Sequence, residues 1–181
     1  EPAGPDKIYI SRSGLFRKRG RFLMEDYIEA KMEAEGYTVF HPQDHDLETQ
    51  LSWYKGASAI VSTDNSALHL AAFVINPHCK IGILLRRPGA IFADFEMQLK
   101  WFAGVQPDVI DACTRFWFRA DEKVQYNEVY ALIDFEKTAQ ALKAAGIIEN
   151  ANWVNPSIVD VDRAIEKLEA DTETRFDEIF L

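Results

Sequence analysis

The sequence predicts an α/β fold built on a doubly wound parallel sheet, and three observations predict it. Short apolar, β-branched runs at Lys7–Ile10, Tyr37–Phe40, Ala59–Val61 and Lys80–Leu85 alternate with stretches of helical periodicity. The connections between them are short, which is how parallel strands are joined through crossover helices. The chain has 181 residues, 48% hydrophobic and 27% charged, enough to bury one proper core without staples.

Glu1 to Asp6 carries two prolines and a glycine and reads as a linker. The first strand, Lys7–Ile10, is followed by a loop from Ser11 to Arg21 holding five cations, Arg12, Arg17, Lys18, Arg19 and Arg21, in a chain of net charge −9. A basic run is ordinarily a solvated loop. Its place after the first strand puts it on the sheet edge where ligands of open α/β sheets bind. Leu23 to Glu35 is helical, with Leu23, Tyr27, Ala30, Lys31 and Ala34 near one face and Gly36 as its C-cap.

Tyr37 to Phe40 is the second strand. The following His41-Pro42-Gln43-Asp44-His45-Asp46 has metal-ligating residue types, yet its acids sit where N-caps are needed for the next helix, Leu47 to Lys55, so no metal site is expected. Ala59 to Val61 is the third strand, and Ala67, Leu68, Ala71, Ala72 and Val74–Ile75 then recur at helical spacing up to Asn76-Pro77-His78. Between them Asp64, Asn65 and Ser66 are all capping types. A helix N-terminus there would turn its free N–H groups toward an anion such as a phosphate, with His69 one turn further on. The plain alternative is that these are ordinary caps and a half-buried histidine.

Lys80 to Leu85 is the fourth strand, and Arg86-Arg87-Pro88-Gly89 at its end adds further cations to the same edge. Ile91 to Phe102 has Phe92, Phe95, Glu96, Leu99 and Phe102 at helical spacing, which reads as core. Val109–Ile110 and Phe116–Phe118 read as later strands at the sheet margin, and Tyr126 to Ile133 fits strand or helix. Phe135 to Ala145 and Ser157 to Ala170 are amphipathic helices. The acidic tail from Asp171 projects Phe176, Ile179, Phe180 and Leu181. We therefore divide the chain into a linker over 1–6, an α/β domain over 7–150, and a C-terminal helix and tail over 151–181 that packs on the domain or on a partner half.

The negative charge opposes a nucleic-acid backbone or an anionic membrane as main partner. Cys79 and Cys113 have no CxxC spacing, which suggests buried thiols in a reducing, cytoplasmic compartment. There is no apolar run long enough to span a membrane and no signal peptide. Because the first residue is glutamate, an excised domain or processed fragment is expected, with a missing N-terminal half-domain as one reading. Neither G-x-G-x-x-G nor a P-loop is present, so a dinucleotide site of the usual kind is not expected.

Three segments in this order resemble glycosyltransferase family 61, to which many capsular-polysaccharide proteins belong. They are Tyr9-Ile10-Ser11-Arg12 with the arginine-rich loop and Glu25, then Gly36-Tyr37-Thr38-Val39, then Gln50-Leu51 followed by Ala57 to Val61 and the turn into Leu68 and Phe73. The resemblance covers roughly residues 7 to 111. Met24 stands where the family has asparagine, and Asp64-Asn65-Ser66 replaces H-G-A. That altered turn is similar to the D-[ST]-G-x-x-H-[IL]-A turn of heptosyltransferases, with Asp64, His69 and Ala71 in register and Ser66 in place of the glycine.

The resemblance implies a Rossmann-like half-domain of a GT-B enzyme that binds a nucleotide-sugar as substrate and transfers the sugar to a glycan acceptor in capsule or surface-polysaccharide synthesis. It implies no cofactor and no metal. Arg12 with Arg17, Arg19 and Arg21 would neutralise the leaving diphosphate, helped by N–H groups of the turn. Asn65 and Ser66 belong to that turn, Asp64 would orient it, and His69 would hydrogen-bond a phosphate or sugar hydroxyl. Glu25 would hold a donor hydroxyl or an arginine, although an exposed glutamate at a helix start also has an electrostatic explanation. No residue is assigned as catalytic base. The alternatives are an enzyme like nucleoside deoxyribosyltransferases or N-glycosidases, suggested by Lys7-Ile8-Tyr9-Ile10 and Gly36-Tyr37 to Phe40, and a non-catalytic α/β module with a decayed sugar site.

Overall fold

The computed structural model describes residues 1–15, 19–87, 92–120 and 128–179. Strands β1 (Lys7–Ile10), β2 (Thr38–Phe40), β3 (Ala59–Thr63), β4 (Lys80–Leu84) and β5 (Asp108–Ile110) form a parallel sheet in the order β2-β1-β3-β4-β5. The order reverses between β1 and β3, so the loops leaving these two neighbours diverge and open a crevice at the carboxyl edge.

Strand alternation divides the core in two. Tyr9, Val61 and Leu84 face α1 (Glu25–Ala34) and α5 (Phe135–Ala144), while Ile8, Ile10, Ile60, Ile81 and Ile83 face the other way. The second face is covered by α2 (Leu47–Gly56), α3 (Ala67–Ala71) and α4 (Phe92–Gln98). Burial on both faces is what makes these strands read as continuous apolar runs.

Asp46 caps α2 by accepting the Thr49 N–H at 2.8 Å, the role its position suggested. Other elements depart from expectation. On α1 the buried residues are Glu25, Ile28 and Met32, not the stripe through Ala30 and Ala34. The helix begins after Met24, held at φ 60°, because residues 21–23 run beside a distant strand and must turn sharply to enter it. Helix α3 is five residues long and then tightens into turns, with Phe73 N–H to Leu70 O and Val74 N–H to Ala71 O. The turn from Phe92 to Phe102 is α-helical through Gln98 and then opens into a π turn, Leu99–Ala103, ended by Gly104 at φ 70°. The wider turn carries Ala103 inward and leaves Trp101 and Phe102 exposed, which corrects the reading of Phe102 as core.

Val109–Ile110 lies in β5 at the margin of the main sheet, as expected, but Phe116–Phe118 does not extend that sheet. Strand β6 (Cys113–Arg119) is the centre of a separate antiparallel sheet, flanked by β7 (Tyr130–Ile133) and β8 (Phe176–Ile179). The tail is thus tied back by a strand, and the Arg115–Glu178 bidentate pair, 2.7 Å for each bond, joins β6 to β8. Helix α6 (Ile158–Thr172) starts with a capping box between Ser157 and Asp160 and buries Val161 and Leu168 in the same core as α1. Among the described residues no helix is long and apolar enough to cross a membrane.

Candidate functional site

Asp64 follows the last residue of β3, and its neighbours on the sheet edge decide what it does. Its carboxylate is 2% exposed and accepts the Arg86 N–H at 3.2 Å and the Arg87 Nε–H. Arg86 Nε lies 3.8 Å from Asp64 Oδ1, and Arg86 Nη1 donates to Val129 O at 3.0 Å. Burial pushes the Arg86 guanidinium down to about 10, against the pull of Asp64. Asp64 is therefore the counter-ion of the loop after β4 rather than the cap of α3.

The polar groups of the β3–α3 turn satisfy the turn itself. Asn65 Nδ2 donates to Ser62 Oγ at 2.8 Å and Thr63 Oγ1 at 3.1 Å, and Asn65 Oδ1 accepts the Ala67 N–H at 2.8 Å. Ser66 precedes α3 without a side-chain capping bond. The Ala67 amide is thus already occupied, and a five-residue helix contributes little dipole, so the anion-binding capacity of this edge rests on side chains.

Those side chains converge on a cavity of about 340 Å³. Arg12 and Arg19 enter it from the loop after β1, Asn65, Ser66 and His69 from the β3–α3 turn, and Arg86 and Arg87 from the loop after β4. Asp94 and Phe95 of α4 complete it, and sequence reasoning missed both. Helical spacing marked Phe95 as core, which it is, but nothing local shows which sheet edge a helix end approaches.

Four arginines against Asp64 and Asp94 leave the cavity with a net charge of two positive in a chain of net charge −9. Arg12 Nε donates to Gly20 O at 2.9 Å, which fixes the guanidinium plane, and burial lowers its pKa from the ordinary value. A second cavity of about 160 Å³, lined by Ile10, Leu15, Pro42 and Gln43, adjoins it across Arg12, Asn65 and Ser66.

His69 packs on Phe95 at 4.7 Å between ring centroids, and its Nδ1 meets Gln98 Oε1 at 2.5 Å. With the amide oxygen as acceptor, Nδ1 carries the proton and Nε2 is left for a ligand.

Two expected members lie elsewhere. Arg21 is drawn off because residues 21–23 pair with β7, with Ala131 N–H to Arg21 O at 3.1 Å and Leu23 N–H to Ala131 O at 2.8 Å. Its Nη1 bonds Ser13 O and its guanidinium lies over Tyr130, in a different cavity. Glu25 lines that other cavity too, and it is buried at 3% exposure, not exposed at a helix start. Its Oε1 accepts the Arg12 N–H at 2.8 Å, the Ser11 hydroxyl at 3.3 Å and the Tyr9 hydroxyl at 3.4 Å. Burial, with the charge of Glu29 behind it, raises the Glu25 carboxyl to about 7 despite the Arg12 N–H bond. Arg17 falls outside the described residues.

No group of three His, Cys, Asp or Glu side chains among the described residues is placed to hold a metal ion. Both cysteines are free thiols, and burial pushes each up to about 12.

No curated protein matches the chain. The family model described as Glycosyltransferase 61 matches residues 2–82, a segment that carries β1 through α3 with Arg12, Arg19, the Asp64–Ser66 turn and His69. Arg86, Arg87 and the antiparallel sheet lie beyond it. Residues 2–82, somewhat less than half of the 181-residue chain, are thus similar to glycosyltransferase family 61.

Proposed function

We propose that this chain is the donor-binding domain of a GT-B glycosyltransferase that takes a sugar from a nucleotide-sugar and passes it to a glycan acceptor, in capsule or surface-polysaccharide synthesis. The observation that carries this reading is the cationic cavity at the β1/β3 reversal of an otherwise acidic chain. In transfer, the bond from the anomeric carbon to the diphosphate breaks with its electrons going to the phosphate oxygen. The acceptor oxygen forms the new bond and passes its proton to a base that the other half of the enzyme would bring. Arg12 and Arg19 stand where they would stabilise the charge growing on the diphosphate, in a pocket whose walls screen it poorly. His69 Nε2, fixed by the Gln98 contact, would meet a sugar hydroxyl or phosphate oxygen. The other half of the enzyme would bring further acceptor contacts.

Asp64 supports this reading over a nucleoside-cleaving one. A carboxylate nucleophile at the end of a third strand must be open to substrate, whereas Asp64 is buried against Arg86 and Arg87. The test is calorimetric titration of the chain with UDP, CMP and ADP and their sugars at low salt, beside an Arg12→Ala variant. Saturable binding of one nucleotide, weakened about tenfold or more in the variant as expected for a lost charge-assisted bond, is the expected result. No binding of any nucleotide by the folded protein would overturn the proposal.

A further inference from the structure

A cavity of about 460 Å³, apart from the arginine cavity, lies between the start of α1 and the side of α6. Its size is in the range of small-molecule sites, roughly 300–1,000 Å³. Ser13 and Glu25 contribute to its wall, so it lies directly behind the Ser11–Arg12 segment whose guanidinium enters the donor cavity.

Glu25 makes this cavity more than a groove. Three donors hold Oε1 in place, from Tyr9, Ser11 and Arg12, while Oε2 is buried with no hydrogen-bond partner among the described residues. A buried acceptor left unpaired is costly, and a hydroxyl donor from a ligand would satisfy it. The rest of the wall indicates what kind of ligand. Three cations, Arg21, Arg163 and Lys167, face four carboxylates, two from the start of α1 and Asp160 and Asp171 from α6, so neither sign dominates. Phe22, Leu23 and Leu168 supply apolar surface beside them. Balanced donors and acceptors over an apolar floor suit a neutral polyhydroxylated ring, which carries hydroxyls on its rim and C–H groups on its face.

We propose that this cavity binds a sugar unit of the glycan acceptor, with Glu25 Oε2 accepting a hydrogen bond from one of its hydroxyls. The identity of the ligand as an acceptor rests on the donor-domain reading; the sugar site itself rests on the cavity and on Glu25. Residues 11–13 would then form a partition with donor on one side and acceptor on the other.

The test uses the whole chain and saturation-transfer NMR with a panel of methyl glycosides of neutral hexoses and N-acetylhexosamines, followed by the nucleotides named above. Ala164→Trp fills the cavity from α6 without touching the donor cavity. Glu25→Gln keeps the shape and removes the carboxylate. At about pH 8, above the value near 7 at which the Glu25 carboxyl ionises, at least one glycoside is expected to bind, with affinity about tenfold weaker in Glu25→Gln, as for one bond to a charged group, and no binding in Ala164→Trp. Nucleotide binding should persist in Ala164→Trp. Failure of every glycoside to bind, or binding unchanged in folded Glu25→Gln, would overturn the inference; the second variant decides if Ala164→Trp does not fold. Nucleotide binding without glycoside binding would sink this site and leave the donor reading standing. Glycoside binding without nucleotide binding would do the reverse.

Discussion

Asp64 and Arg87 form an ion pair across the carboxyl edge of the sheet, joining the end of β3 to the loop after β4, with the carboxylate 2% and the guanidinium 12% exposed. The same carboxylate receives the Arg86 N–H, so one side chain fixes two consecutive arginines. An acidic residue in a cationic pocket thereby sets the positions of the cations around it.

Asp64→Ala should be among the most destabilising single changes. It leaves Arg86, 2% exposed, without its counter-charge. Breaking a buried pair in this way costs about 3–5 kcal/mol. Urea unfolding of the variant would show it, and a loss below about 1 kcal/mol, the range of surface pairs, would show that the pair is not effectively buried.

Glu25 makes stability depend on pH with a definite sign. Burial raises its carboxyl from 4.5 to about 7, so between these values the folded chain holds a proton that the unfolded chain has released. The contribution is complete below about pH 4.5 and is lost as pH rises through about 7. A shift of that size is worth on the order of 3 kcal/mol. Glu29, Arg12 and Arg21 face the same carboxyl and share in the profile. Denaturant midpoints of the wild type should fall as pH is raised across this window, while Glu25→Gln should lose most of that slope.

Gly20→Ala should destabilise through overpacking. A Cβ at this position would sit 2.6 Å from the backbone carbon of Glu128 and 2.7 Å from Arg86 Nη1, and closer still to Val129 O. The obstacle is mostly backbone, which cannot swing aside, and Val129 O is the acceptor that holds Arg86. Overpacking of this kind costs typically about 1–3 kcal/mol. Thermal unfolding would measure it, and an unchanged melting temperature would mean that the 128–129 segment yields freely.

Gln98→Leu should weaken nucleotide binding without reaching the ligand itself. It removes the partner that fixes the tautomer and ring orientation of His69. The loss should be about two- to tenfold, the worth of one neutral hydrogen bond. Calorimetry on the variant would measure it; a larger loss, equal to that of His69→Ala, would mean that orientation is the whole of the histidine's contribution.

The sequence by itself determined the parallel sheet and the edge on which the arginines collect. A strand buried on both faces is largely apolar, so Lys7–Ile10, Ala59–Val61 and Lys80–Leu85 were visible as runs. Helix starts were visible where a cap acts over three residues, as at Asp46. The tertiary structure decided everything that depends on closing a long loop. Residues 21–23 meet Ala131, Arg86 meets Val129 and Arg115 meets Glu178, and none of these pairings leaves a local periodicity. They removed Arg21 from the arginine cavity, buried Arg86 against Asp64 and made β6 the centre of a second sheet. Glu25 shows the same division: its place at the start of α1 is local, but its burial comes from Tyr9, Ser11 and Arg12 closing over it. Local chemistry sets which residues are helix, strand or cap. Which charge is paired, buried or left facing a cavity is set by residues far away in the chain.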